Sequence, residues 1–165
     1  VYYNSLLVLL FPCCHSHLHY KLFCCLIYAE SKVAFSVGLT DAGTIGPFNT
    51  EITLKFSKVF TNFGQAYNTH AGVFTAPLRG VYYFRFTGFS VKTNHWFGVI
   101  LYHNNKRVSW NTDYNDDVFY ASISNGLPLE LEKGDVVYLV LPSNHVKYDD
   151  SFNRTVFSGF LIFPL

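Results

Sequence analysis

Tyr82, Phe84 and Phe86 stand two residues apart, so on an extended strand all three rings leave the chain on the same side. A face of three rings has to be covered, and the segment is therefore expected to form one wall of a β core. Gly80, just ahead of them, suits a turn with positive φ or a close backbone approach, and Pro77 marks the loop before it. Upstream, Phe56, Asn62, Tyr67 and Phe74 continue a spaced series that ends in Gly80, Tyr82, Phe84 and Phe86.

From Val33 onward no stretch carries a convincing 3.6-residue apolar period, and short alternating runs are separated by turn residues. The expected strands are Val33–Leu39, Ala71–Thr75, Gly80–Val91, Phe97–His103, Arg107–Thr112, Val118–Ile123, Asp135–Leu141 and Val156–Phe163. The expected breaks include Gly43 to Pro47, Ala76 to Arg79, Asn104-Asn105, Asn111 to Asp117, Lys133-Gly134 and Asn144 to Asn153. Asn104-Asn105 suits a tight hairpin. The run from Val136 to Leu141, apolar throughout, is expected centrally in a sheet or against another subunit. The predicted fold class is all-β: a two-sheet jelly-roll sandwich of about ten strands.

At 165 residues the chain is long enough for one full core and too short for two ordinary domains. Half the residues are apolar and only 14% are charged, which excludes a disordered chain. The net charge of +1 comes with no Lys/Arg run, so no nucleic-acid partner is expected. All four cysteines lie within the first 25 residues, leaving the remainder to fold without disulfides.

Residues 1–32 are read as a leader outside the fold. Its two apolar runs, Leu6 to Phe11 and Leu22 to Ala29, are too short to span a membrane, which takes roughly 20 apolar residues. Lys21, the second run and Ala29 have the proportions of a secretory signal peptide, with cleavage expected after Ala29. The chain contains no methionine, so Val1 is not expected to be a natural initiator and the sequence reads as a fragment or gene-model product. The competing reading of the leader is a translated pyrimidine-rich intron end, which would be rich in Phe, Leu, Pro, Ser and Cys as these residues are. Cys13, Cys14, His15, His17, His19, Cys24 and Cys25 suggest zinc, but adjacent cysteines lack the spacing that lets both reach one ion. No metal site is expected there.

The series Phe56, Asn62, Tyr67, Phe74, Gly80, Tyr82, Phe84, Phe86 resembles the signature of the complement C1q globular domain. Val33-Ala34-Phe35-Ser36, Leu131-Glu132-Lys133-Gly134-Asp135 and Phe157-Ser158-Gly159-Phe160-Leu161 resemble the flanks of that domain, so the likeness covers residues 33–165. The resemblance implies a jelly roll of C1q/tumour necrosis factor type, secreted to the extracellular space and associating as a homotrimer, or as a heterotrimer with related chains. It implies a non-enzymatic recognition protein of innate-immunity type, whose loops bind an extracellular protein, glycan or microbial surface. The alternative it carries is a cerebellin-like secreted ligand that organises cell-surface receptors. No Gly-X-Y repeat precedes the domain in this sequence, which moves the likeness toward short, stalkless members.

Candidate trimer-contact residues are the aromatics Phe35, Tyr83, Tyr138, Phe160 and Phe163. Asn153-Arg154-Thr155 is a glycosylation sequon, placing a candidate glycan on Asn153. Histidines His70, His95, His103 and His145 lack the His-X-His spacing of a cupin-type metal site, and Ser158 lacks a nucleophile elbow. No catalytic residue and no resident metal is expected, and no cofactor beyond calcium, for which the acidic segments Asp113 to Asp117 and Asp149-Asp150 would supply oxygens.

Overall fold

The computed structural model describes residues 32–91, 94–115 and 120–165. The leader's cysteine and histidine cluster, its cleavage site, and Asp116 and Asp117 lie outside them. Residues 33–165 form one compact unit.

Thirteen strands make up the described fold: β1 (Ala34–Gly38), β2 (Gly43–Ile45), β3 (Ile52–Thr53), β4 (Lys58–Phe63), β5 (Tyr67–Asn68), β6 (Val73–Thr75) and β7 (Gly80–Val91), then β8 (His95–His103), β9 (Lys106–Asn115), β10 (Tyr120–Leu131), β11 (Val136–Leu141), β12 (His145–Asp149) and β13 (Val156–Pro164). One sheet runs β4-β1-β13-β7-β10, with every neighbour antiparallel. The other runs β5-β6-β11-β8-β9. These two five-stranded layers are the expected sandwich, to which β2 and β3 add short flanking pairs. β12 links the layers: His145 and Val146 pair in parallel with Trp96 and Phe97 of β8, and Tyr148 pairs with Phe89 of β7.

β7 has the bounds that its alternation predicts, and its inward residues Tyr82, Phe84 and Phe86 are buried while Arg85 is exposed. Phe35, Phe74 and Phe157 meet them between the layers; Phe35 stacks on Tyr67 and Phe74 with ring centroids 5.1 and 5.3 Å apart. The Asn104-Asn105 hairpin also forms, with Asn104 in the left-handed region at φ 53°. Gly80 is a close approach and not a turn: its φ is not positive, and a Cβ there would meet the Phe163 carbonyl oxygen at 2.8 Å. The apolar run of β11 lies inside its sheet, between β8 on one side and β3 and β6 on the other.

Several expected boundaries are corrected. The break drawn from Asn144 to Asn153 contains β12, because a strand whose inward residues are Lys147 and Asp149 does not look apolar in sequence. The break from Asn111 to Asp117 is strand as far as Asn115. β10 runs on to Leu131, well past the expected Ile123, through Gly126 and Pro128. Among the described residues it pairs with β7 alone, and an edge strand tolerates both residues. β4 was not anticipated, because Val59, Phe60 and Phe63 are exposed and no alternation shows.

Candidate recognition and assembly surfaces

Seven of the eight spaced residues of the sequence signature are buried in the interior, and Asn62 is half-buried. Phe56, Tyr67, Phe74, Tyr82, Phe84 and Phe86 are all buried. Asn62 ties the turn that follows β4: its side-chain amide donates to the Tyr67 carbonyl at 2.8 Å and its oxygen accepts from the Tyr67 N–H at 3.1 Å. The Tyr67 hydroxyl accepts from the Phe56 N–H at 3.3 Å, and burial pushes its pKa up to about 12. The Tyr82 hydroxyl donates to the Leu78 carbonyl at 2.8 Å, fastening the loop that contains Pro77. These polar atoms satisfy backbone groups that the core would otherwise strand.

The outer face of the β4-β1-β13-β7-β10 sheet is different. Antiparallel register sets Phe63, Ala34, Phe160, Tyr83 and Pro128 in one row across all five strands. Tyr83 and Phe160 touch, with centroids 5.7 Å apart, and Tyr83 lies over Gly126, where a Cβ would run into its ring and hydroxyl. Phe163, opposite Val81, extends the patch beyond a bulge in β13. Phe63, Phe160 and Phe163 are each about half exposed, an apolar concentration that a single soluble subunit does not normally leave uncovered.

The five proposed contact aromatics therefore separate. Tyr83, Phe160 and Phe163 share this face. Phe35 does not: it is 3% exposed and its ring is enclosed within the subunit, so it is withdrawn as a contact residue. Tyr138 stands on the other sheet, stacked at 5.4 Å on Tyr102, with its hydroxyl donating to the Asn104 carbonyl at 2.8 Å. Phe63 belongs to the patch and was missed, because β4 has no alternation to announce it.

A second cluster lies at the Phe89 end of the same face. The Arg154 guanidinium is 4.6 Å above the Phe89 ring and 5.3 Å from Phe152, and its Nε donates to Asp150 at 3.0 Å. Phe152 is 76% exposed. Between Phe152 and Arg154 sits the sequon asparagine, Asn153, with φ 55° and its side chain partly exposed. Thr155, the third sequon residue, is buried: its hydroxyl donates to the Tyr148 carbonyl at 2.7 Å and accepts from the Phe89 N–H at 3.2 Å. Both sequon positions thus also serve the fold.

The carboxylates expected to suit calcium are otherwise engaged where the structure describes them. Asp149 is buried and accepts from the backbone amides of Leu39, Thr40 and Thr155, with Lys58 Nζ at 3.0 Å. Asp150 holds Arg154 and the Phe152 amide. Among the described residues no group of three or more His, Cys, Asp or Glu side chains could hold a metal ion. His103 pairs with Asp135 at 2.8 Å and His145 with Thr112 at 3.0 Å, so the histidines work in separate places. An open, polar-lined groove of about 550 Å³ runs past Asn62, Gln65, Asn68 and His70. No helix among the described residues is long and apolar enough to cross a membrane.

Comparison with known proteins matches the C1q domain family over residues 34–162. The globular domain of zebrafish complement 1qA protein is 25% identical and superposes with a TM-score of 0.62, covering 81% of this chain and 99% of that one. Eiger TNF from S. frugiperda superposes with a TM-score of 0.64 at 10% identity, over 82% of this chain and 95% of its own. Murine APRIL gives 0.63 at 10% identity, over 79% and 99%.

Proposed function

This chain belongs to the C1q domain family, and on that premise we propose that it is an extracellular, non-enzymatic recognition module acting as a trimer. The copies are identical or come from related chains, and ligands are taken through the loops and outward faces. The observation that carries this reading is the uncovered row Phe63, Phe160, Tyr83 with Phe163 beside it. Burying such a row against another subunit removes half-exposed rings from water without stranding a backbone polar group, since the strands beneath it are paired on both sides from β1 to β7. Three linked copies then raise the strength of weak single contacts by avidity.

Light scattering of the chain at micromolar concentration tests the reading. The expected mass is three times the 18.9 kDa subunit, with Tyr83→Arg, which places a charge in the row, dissociating it. A monomer in the unsubstituted protein would refute the trimer and the avidity that depends on it.

A further inference from the structure

We propose that the outer face of the β8–β9 hairpin is a binding strip for an acidic oligosaccharide, an inference that rests on reading the domain as a recognition module. Val99 and Leu101 of β8 belong to the core cluster, so Trp96, Gly98 and Ile100 lie on the opposite face of the strand, where Gly98 and Ile100 are covered and Trp96 is open to solvent, opposite Tyr114, Thr112 and Trp110 of β9. Trp96 and Trp110 are each 50% exposed. They are the chain's two tryptophans. Trp110 and the partner of Trp96, Tyr114, lie four residues apart on β9, about 14 Å at the usual strand rise of about 3.4 Å.

Each end of the strip is built differently. At one end the Trp96 ring is flanked by Tyr114 at 5.2 Å and by His145 at 6.3 Å. The His145 ring is held in place, because its Nδ1–H donates to the Ser143 carbonyl at 2.8 Å and its Nε2 lies 3.0 Å from the Thr112 hydroxyl. At the other end a register shift beside Tyr102 brings Arg107 next to Trp110, with the guanidinium 4.5 Å from the ring centroid. Arg107 and the adjacent exposed Lys106 make no ion pair with any described residue.

The floor between the two indoles carries no β8 side chain. A Cβ on Gly98 would crowd the Asn111 and Thr112 backbone, so the gap is fixed by strand packing. Two separate ring platforms joined by a small polar step do not form the contiguous desolvated centre that a protein interface uses. They do match a chain of pyranoses, whose C–H faces rest on aromatic rings while their hydroxyls meet the intervening Thr112 and His145. The uncompensated guanidinium supplies the charge: its parallel N–H donors take a carboxylate bidentately, which selects a uronic acid over a neutral sugar.

The test uses the whole chain, titrated with hexasaccharides of hyaluronan, alginate and polygalacturonate, with neutral maltohexaose as control. Tryptophan fluorescence reads the strip directly, since both indoles lie on it. At least one uronic hexasaccharide is expected to give a saturable change, with maltohexaose roughly tenfold weaker or worse. Arg107→Gln is expected to cost at least roughly tenfold in affinity, and Trp96→Ala more, with oligomeric mass unchanged. Silence with all three acidic sugars, equal binding of maltohexaose, or full binding by Arg107→Gln overturns the proposal. So does a changed mass in Arg107→Gln, which would make the strip a subunit contact. A trimer that ignores the sugars ends this inference alone, whereas a monomer ends the assembly reading and leaves the fluorescence comparison still decisive here.

Discussion

The inward face of β7 has two halves that solve the same burial problem in opposite ways. Tyr82, Phe84 and Phe86 fill the space between the layers with buried rings, Tyr82 and Phe84 in contact with Phe74 and with each other, and Phe84 also with Phe157. Two residues further on the series becomes Gly88 and Ser90, and β12 supplies the filling in the form of Lys147 and Asp149, both wholly buried. Those two charges contrast again. Asp149 is surrounded by three backbone N–H donors and Lys58, while the Lys147 amine has no hydrogen-bond partner and lies 5.2 Å from the Phe97 ring centroid. Gly88 is what admits it, since a Cβ there would collide with Nζ. Strand alternation tells which positions go inside; it does not tell whether the inside will be hydrocarbon or charge.

The largest expected effect attacks the ring half. Phe157→Ala removes a side chain that contacts Phe35, Phe56, Tyr67 and Phe84, and about 3–5 kcal/mol should be lost in urea unfolding at pH 7. A loss under about 1 kcal/mol would mean that the layers collapse to fill the cavity, and that the ring half is less rigid than its stacking suggests.

Next is the satisfied charge. Asp149→Ala leaves the Leu39, Thr40 and Thr155 amides without their acceptor and removes a partner of Lys58, whose pKa burial would lower but whose hydrogen bonds to Asp149 and Asp41 raise. About 3 kcal/mol is expected to go, by the same unfolding measurement. Asp149→Asn keeps one acceptor oxygen and should recover part of it.

The ring half was legible in the sequence and the charged half was not, for one physical reason. Tyr82, Phe84 and Phe86 are apolar at alternate positions, so burial leaves a mark on residue type. Lys147 and Asp149 are buried too, but a lysine and an aspartate at alternate positions read as a solvated loop, so in sequence β12 looks like a break. The same limit applied to the surfaces. Tyr83 and Phe160 could be drawn from the expected strands, whereas Phe63 and Phe35 could not be sorted into exposed and enclosed without knowing which strands cover β1. The sequence marked Asn153 through its sequon, but carried no sign that Thr155 is a buried structural hydroxyl.

The unpartnered charge should make stability depend on pH. Burial lowers the Lys147 pKa from 10.5 to about 7, so between those values the folded amine is neutral while the unfolded one is protonated. Unfolding then takes up a proton, and stability climbs with pH by about 1.4 kcal/mol per unit across that window. Below pH about 7 both forms are protonated and the dependence flattens. Lys147→Met should abolish this contribution and stabilise the protein by about 1–4 kcal/mol at pH 7, with an advantage that shrinks toward pH 10. Parallel curves for the two proteins from pH 6 to 10 would show that Nζ is already compensated, and the contrast with Asp149 would be gone.

The smallest effects come from the sequon, where two substitutions that erase the same glycosylation signal should part company. Asn153 holds a left-handed φ of 55° with its side chain partly in solvent, and Asn153→Gly accepts that backbone conformation without strain, so its stability should stay within about 0.5 kcal/mol of the parent. Thr155→Val keeps the shape of the side chain but deprives the Tyr148 carbonyl and the Phe89 N–H of their partner, and about 1–3 kcal/mol should be lost. Unfolding measured on unglycosylated protein isolates this difference, because neither variant then differs from the parent by a sugar. Equal losses would place the cost in the turn that Asn153 closes with Asp150, and would move the boundary of the polar half outward from Thr155 to the loop.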